Sequence, residues 1–465
     1  MTHLSPLDSE LNNSKESQDL PQPTAPHLSR LRLVGSFTLQ LLLGGLFIFY
    51  YLQSCSQQSH HINLSMGGYD QTAYMQEAIR WKESGYTEPL VRNRMPLYLF
   101  IISLLHREEM ETHEFFQTVK TFNIYLSLVM LLLIWRLFRK HFSFALCVNL
   151  ITALGFLLFA YKAPYVQCEI LHFSLFLFLF VAMYEQLGHP TIKRGFLIGF
   201  LAALSYMTKA SMLLMMCSFV LSSFFAGKQL LDTKRRVLQS SFISLFVFLV
   251  LISPYLHHNL KAYGSLFYND STSYVMWSES WTEALDNFSR YREGHSGGNL
   301  PEDIATGPRS YLRIHGIHHM LLREWQGLKK MTNLFWHSSY GFQYVLSFLA
   351  FIALFTSFAT SLRKIFSHLP WPKIIFSTLV LVIYSLAIAW YLQIDDGLRF
   401  LAPLYPITLF LLAKIINEWQ NSIKNHSFAF YQFSNLSLIV LLTVLNFTLA
   451  FQTVTKGSLS LLGAR

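Results

Sequence analysis

The chain has 465 residues, 52% of them hydrophobic and 16% aromatic, and only 13% are charged. Soluble domains carry about 25% charged residues, so this composition excludes an ordinary water-soluble domain and points to lipid. The formal charge of +10 does not indicate nucleic acid, because the basic residues gather in short loops between apolar runs, which is a topology signal.

Residues 1–33 are polar and Pro/Ser-rich and read as a disordered cytoplasmic tail. No small-residue cleavage site follows the first apolar run, so it is not expected to be a signal peptide. From 34 to 465 the chain reads as one transmembrane domain. A span needs about 20 apolar residues. Stretches of that kind occur near 34–52, 119–137, 143–161, 168–186, 194–208, 211–227, 237–256, 341–360, 374–393, 400–417 and 434–453, with the fifth and sixth short and tight against one another. The fold class expected is therefore an all-α polytopic membrane protein of about eleven transmembrane helices. Basic flanks set its orientation. Arg30 and Arg32, then Arg136, Arg139 and Lys140, Lys193 and Arg194, Lys234 to Arg236, Arg363, Lys364 and Lys373 all occupy loops of one parity. The positive-inside rule then places the N-terminus in the cytoplasm and the C-terminus outside.

Two long loops, 53–118 and 257–340, are expected on the outer side, where amphipathic helices would form an external layer. Residues 71–84 put Tyr74, Ala78, Ile79 and Trp81 along one side, with Gly85 as the stop. Residues 95–106 are apolar but too short to span, which suits a helix in the interface. The second loop has a GHSGGNLPED core and a helical 309–330. Cys55 and Cys168 both fall outside and could pair, although free cysteines are common in apolar interiors.

The charges that interrupt the apolar pattern share one side. Asp70, Arg94, Lys162, Glu169, Lys209, Asp395, Asp396 and Arg399 all thread to the external face. A charge at mid-bilayer costs roughly 2.5–3.5 kcal/mol on insertion scales. Their clustering on one face suggests a reaction or binding site there.

Several short patterns carry a resemblance. They are GYDQTAYMQEAIRW with Asp70, RNRMPLYLF with Arg94, VQCEILHFSLF with Glu169 and YMTKASMLL with Lys209. SPYLHHNLKAYGSLF with Pro254, Asn259, Tyr263 and Gly264, and DDGLRFLAPLYPITLF with Arg399, Phe400, Pro403 and Pro406, complete the series. In this order the chain resembles the GT-C glycosyltransferases, nearest to the protein mannosyltransferase-like and aminoarabinose-transferase-like branch. One departure is that Asp70 is followed by Gln71, where some branches have adjacent acidic residues.

The resemblance implies transfer of a sugar from a polyprenyl-phosphate donor to a glycan, lipid or protein acceptor at the outer or lumenal face. The bacterial inner membrane is the preferred location, over the endoplasmic reticulum. It implies Asp70 as general base with inversion; retention would need Glu169 as a second carboxylate. Arg94, Lys209 and Arg399 would clamp the donor phosphate. Tyr69, Lys162, Asn259, Asp395 and Asp396 complete the candidate set. Each has a plainer reading: a helix N-cap for Asp70, snorkelling for the basic residues, mutual pairing for Lys162 with Glu169 and for Asp395 or Asp396 with Arg399, and a turn for Asn259. His315, His318 and His319 have helical spacing that permits a metal, but no Cys or carboxylate completes a motif in the sequence. No cofactor or metal is expected. The competing classes are a transporter or flippase of a lipid-linked glycan, which would show symmetric halves around a mid-membrane site, and a non-catalytic envelope partner.

Overall fold

The structure is a computed structural model that describes residues 26–67, 70–88, 90, 94–225, 231–268, 275–295, 304–338, 371–395 and 398–424. The chain divides into two units, Met1–Phe49 and Tyr50–Arg465. The start of helix α1 (Pro26–Gln57) lies in the first; all that follows concerns the second. Every regular element among the described residues is helical. The helices continue as α2 (Gln71–Glu83), α3 (Pro96–Ser103), α4 (Thr112–Arg139), α5 (Phe144–Lys162), α6 (Glu169–Gly188) and α7 (Ile192–Thr208). Then come α8 (Leu213–Phe224), α9 (Leu231–Tyr263), α10 (Trp281–His295), α11 (Pro308–Ser338), α12 (Trp371–Tyr391) and α13 (Leu404–Lys424).

Among the described residues five stretches, α4, α5, α6, Lys234–Tyr263 of α9 and α12, are long and apolar enough to cross a membrane. They contain or overlap the expected spans at 119–137, 143–161, 168–186, 237–256 and 374–393. The expected spans at 194–208 and 211–227 correspond to α7 and to the shorter apolar helix Ala210–Phe224. Those at 341–360 and 434–453 lie outside the described residues. The chain is an all-α polytopic membrane protein.

Packing of α7 on α9 follows from small residues. Gly195 and Gly199 stand one turn apart on α7 and face Ser240 and Ser244 of α9. A Cβ at Gly199 would lie 2.6 Å from the Ser244 carbonyl oxygen and 2.6 Å from Val247 Cβ. Without water to expel, helices in lipid gain by such close backbone approach. Gly199→Ala is therefore expected to destabilise the folded chain by about 1–3 kcal/mol through overpacking, read as a lowered unfolding midpoint in detergent.

The bundle has two chemically different ends. At one, Lys373 and Lys414 lie 3.8 and 3.9 Å from Glu185 Oε1, and Lys414 Nζ is 3.2 Å from His141 Nδ1. At the other, the C-terminal ends of α5, α7 and α12 meet the N-terminal end of α6. Helices α2 and α3 pack there on Phe115, Phe116 and Val119 of α4, around buried Met75, Ala78, Tyr98, Leu99 and Ile102. Helix α3 is shorter than the 95–106 expected, and only Phe100 of its apolar side chains is left exposed along with Leu104 just beyond it. Gly85 ends α2 with positive φ, as its stop role requires.

Cys55 and Cys168 are free thiols, so the suggested pairing is not made. Helix α11 corrects the continuous 309–330 expectation: Gly316, at φ 77° and ψ 166°, breaks it into two segments. That backbone region is open essentially to glycine alone.

Candidate active site

The loop that carries Asp70 is built from the chain before it. After α1 comes a widened turn at Gln58–Ile62, and buried Lys120 donates to the carbonyls of Ser59 (2.7 Å) within it and Asn63 (2.9 Å) just after it. Asn63 and Gln71 then exchange side-chain hydrogen bonds of 2.9 and 2.8 Å. Asn63 also donates to the Pro164 carbonyl, and Gln71 Oε1 accepts the Val166 N–H. Residues 63 and 71 are thereby fastened to the buried 163–168 connection, whose two ends are Lys162 and Glu169. This is why residues distant in sequence meet.

Asp70 precedes α2 in the left-handed region (φ 66°), and its side chain makes no capping hydrogen bond. The carboxylate turns instead to two arginines. Oδ1 lies 3.2 Å from Arg94 Nη2 and Oδ2 lies 3.4 Å from Arg399 Nη1. Arg399 also pairs with Asp395 at 2.8 Å. Arg94 is buried, its guanidinium 4.4 Å from the centre of the Tyr74 ring. The Tyr74 hydroxyl in turn meets Cys168 Sγ at 3.2 Å. Partial burial pushes the Asp70 carboxyl up, but Arg94 and Arg399 outweigh it and hold the group below the usual carboxylate range. Arg399 is lowered by burial and raised further by Asp395, Glu169 and Asp70, so it stays fully charged.

The remaining candidates gather around this junction. Lys209 follows α7 directly, with Nζ 5.5 Å from the Phe400 ring centre; the Arg399 guanidinium lies 4.9 Å from the same ring. Lys162 is buried beside the Tyr161 and Tyr165 rings and within electrostatic reach of Glu169, Arg399 and Lys209. Glu169 is buried, and its Oε2 has no hydrogen-bond partner. Asn259 is also buried and donates to the Leu266 carbonyl at 3.4 Å, ordering the turn after α9. Tyr69 and Asp396 lie outside the described residues.

The structure thus brings Asp70, Arg94, Lys162, Glu169, Lys209, Asp395 and Arg399 to one place. Chemically, this is an ionised carboxylate among cations, one of which, Arg399, is shared with a second carboxylate. Sequence reading missed Tyr74 as the shelf for Arg94, and the Lys120, Asn63 and Gln71 brace. A lone lysine at the head of an apolar span was the one available signal for the brace. Asn63, Asn269 and Asn287 each begin an Asn-x-Ser triplet; Asn63 and Asn287 are buried with their amides engaged, so neither presents an exposed acceptor, and Asn269 lies outside the described residues.

Residues 94–258 match the family model described as dolichyl-phosphate-mannose-protein mannosyltransferase. No curated protein and no solved structure matches the chain. The matched stretch opens on Arg94 and takes in Lys162, Glu169 and Lys209; Asp70, Asp395 and Arg399 join it only through the fold.

Proposed function

We infer that the chain, as a membrane glycosyltransferase of the GT-C type, moves a sugar from a polyprenyl-phosphate donor to an acceptor hydroxyl or amine. Asp70 serves as general base in an inverting displacement. The observation that supports this reading is the ion-pair junction of Asp70 with Arg94 and Arg399.

In the proposed reaction the acceptor oxygen or nitrogen attacks the anomeric carbon and its proton passes to the Asp70 carboxylate. The bond from carbon to phosphate oxygen breaks, and its electron pair leaves with the phosphate. Cations aimed at that oxygen stabilise the growing charge. In this reading Arg399 and Lys209, 4.9 and 5.5 Å from the centre of the Phe400 ring, take the phosphate, while buried Arg94 holds Asp70. A phosphate that draws Arg399 toward itself loosens that arginine's hold on Asp70, and the carboxylate regains basicity when the donor arrives. Donor binding and base activation are then one event. Glu169, buried behind the junction, balances Lys162 and Arg399 rather than acting as nucleophile.

The end carrying Lys373, Lys414 and Arg194 faces the cytoplasm in this reading, and the Asp70 end faces outward, in the bacterial inner membrane. Neither a cofactor nor a metal is required for the transfer step.

The test is a reconstituted vesicle assay with a short-chain prenyl-phosphate sugar and a mixture of candidate acceptors. Free prenyl phosphate should appear in proportion to the chain and only with acceptor present. Passage of intact lipid-linked glycan across the vesicle membrane, with no glycosidic bond cleaved, would instead support the transporter reading.

A further inference from the structure

Away from the Asp70 junction, a second polar cluster joins the segment before α10 to both halves of α11. Glu279, His315 and His319 present one ligand atom each, and these atoms all lie within 4.8 Å of one another. The carboxylate is divided between two tasks. Oε1 accepts the Tyr311 hydroxyl and, at 3.0 Å, Arg323 Nη1. Oε2 is left facing His319 Nε2 at 3.2 Å. That nitrogen is shielded from solvent and is left without a well-formed hydrogen bond. The His315 and His319 rings lie nearly parallel, with centroids 5.1 Å apart.

We propose that Glu279, His315 and His319 bind a divalent transition-metal ion, best zinc, with a water in the fourth position. Imidazole and carboxylate are the donors zinc accepts, and bonds of about 2.0–2.2 Å in a tetrahedron put donor atoms about 3.3–3.5 Å apart. The Glu279 to His319 separation already meets that spacing, and His315 closes in by a small side-chain rotation. Metal ligands are commonly oriented by hydrogen bonds to their other atoms. Tyr311 and Arg323 supply that for Glu279. Arg323 donates to Oε1 and to the carbonyls of Met276 and Trp390, which leaves Oε2 for the ion.

His315 and His319 stand on either side of the break at Gly316, His318 is exposed and outside the cluster, and Glu279 is its third member. The ion would therefore clasp the two segments of α11 to the chain before α10. Arg323 and Lys330 tie this same layer to the Trp390 and Leu392 carbonyls at the end of α12, a few residues before Asp395. The ion's place is in holding that layer, and it takes no part in the transfer step.

The experiment uses the full chain purified in detergent, stripped with chelator and loaded with Zn²⁺, then with Co²⁺. Wild type should retain about one zinc per chain through gel filtration and give the intense visible bands of tetrahedral cobalt. Zinc should also raise its unfolding temperature. His319→Ala, His315→Ala and Glu279→Gln should each weaken zinc binding at least tenfold, while His318→Ala should bind as wild type does. Equal zinc binding by wild type and Glu279→Gln would overturn the assignment, as would loss with His318→Ala alone. If the three variants fail to fold, wild type decides by itself. A tetrahedral cobalt spectrum supports the site, and octahedral cobalt or no retained metal refutes it.

Discussion

Asp70→Asn is expected to lower sugar transfer by about 10²–10⁴-fold, the usual contribution of a positioned general base, while leaving the chain folded. Asparagine is the informative replacement because Asp70 occupies the left-handed region at φ 66°, which asparagine tolerates and alanine does not. The side chain keeps its size, and its one carbonyl oxygen can accept from Arg94 or from Arg399 but does not replace both carboxylate oxygens. What it loses is the charge and the ability to take a proton. The measurement is mass spectrometry of envelope glycans from deletion cells carrying wild type or variant at matched membrane levels. A discrete sugar mass restored by wild type and absent with the variant also reveals the acceptor. Full restoration by Asp70→Asn would remove Asp70 from the chemistry and leave it as a loop residue that holds two arginines.

Arg399→Gln should cost about 10²-fold in transfer, on the scale of removing one preorganised group from a developing negative charge. It should also change the pH dependence in a direction that a purely structural role would not produce. In the wild type, Arg94 and Arg399 hold the Asp70 carboxyl below the usual carboxylate range against the upward push of burial. The group's contribution to stability is complete above its unfolded value of about 3.9 and is lost as pH falls through the lower folded value. With Arg399 gone, burial is opposed by Arg94 alone and the folded value rises. The acid limb of kcat/KM, which reports the free enzyme, should therefore move to higher pH in the variant. An unshifted limb with reduced rate would mean that Arg399 serves the donor phosphate and does not govern Asp70.

Much of this site was legible because the signals are one-dimensional. Apolar length marks a span whatever it packs against, so α4, α5, α6, α9 and α12 stand out in sequence. Charges that cannot stay at mid-bilayer must collect at span ends, which is why Asp70, Arg94, Lys162, Glu169, Lys209, Asp395 and Arg399 could be grouped before any contact was known. Pairing was less legible. In sequence Asp70 reads as a general base or as a helix cap; its ion pairing depends on Arg399, more than three hundred residues later. Asn63 and Gln71 are ordinary polar residues until the 163–168 connection meets them. The Gly195 and Gly199 spacing is visible on α7, but its partner serines are not.

Helical periodicity misled at Gly316. A glycine within an amphipathic run is usually tolerated at a cost of about 1 kcal/mol against alanine, so nothing in the pattern announces a break. The three histidines looked like one helical face for that reason, and the carboxylate that joins two of them lies before another helix altogether. Only the three-dimensional placement of 275–295 and 304–319 reveals that grouping.

Gly327 on α11 bears directly on α12. A Cβ there would fall 1.9 Å from the Ala389 carbonyl oxygen, so the contact has room for a hydrogen and nothing larger. Turning α11 by one residue, about 100°, would set Gln326 or Leu328 against that carbonyl. The contact therefore behaves as a key in a keyway, blocking rotation and sliding alike. The movement left to the segment of α11 after Gly316 is to hinge off α12 as one piece, taking Arg323 and Lys330 with it and releasing the carbonyls of Trp390 and Leu392 together.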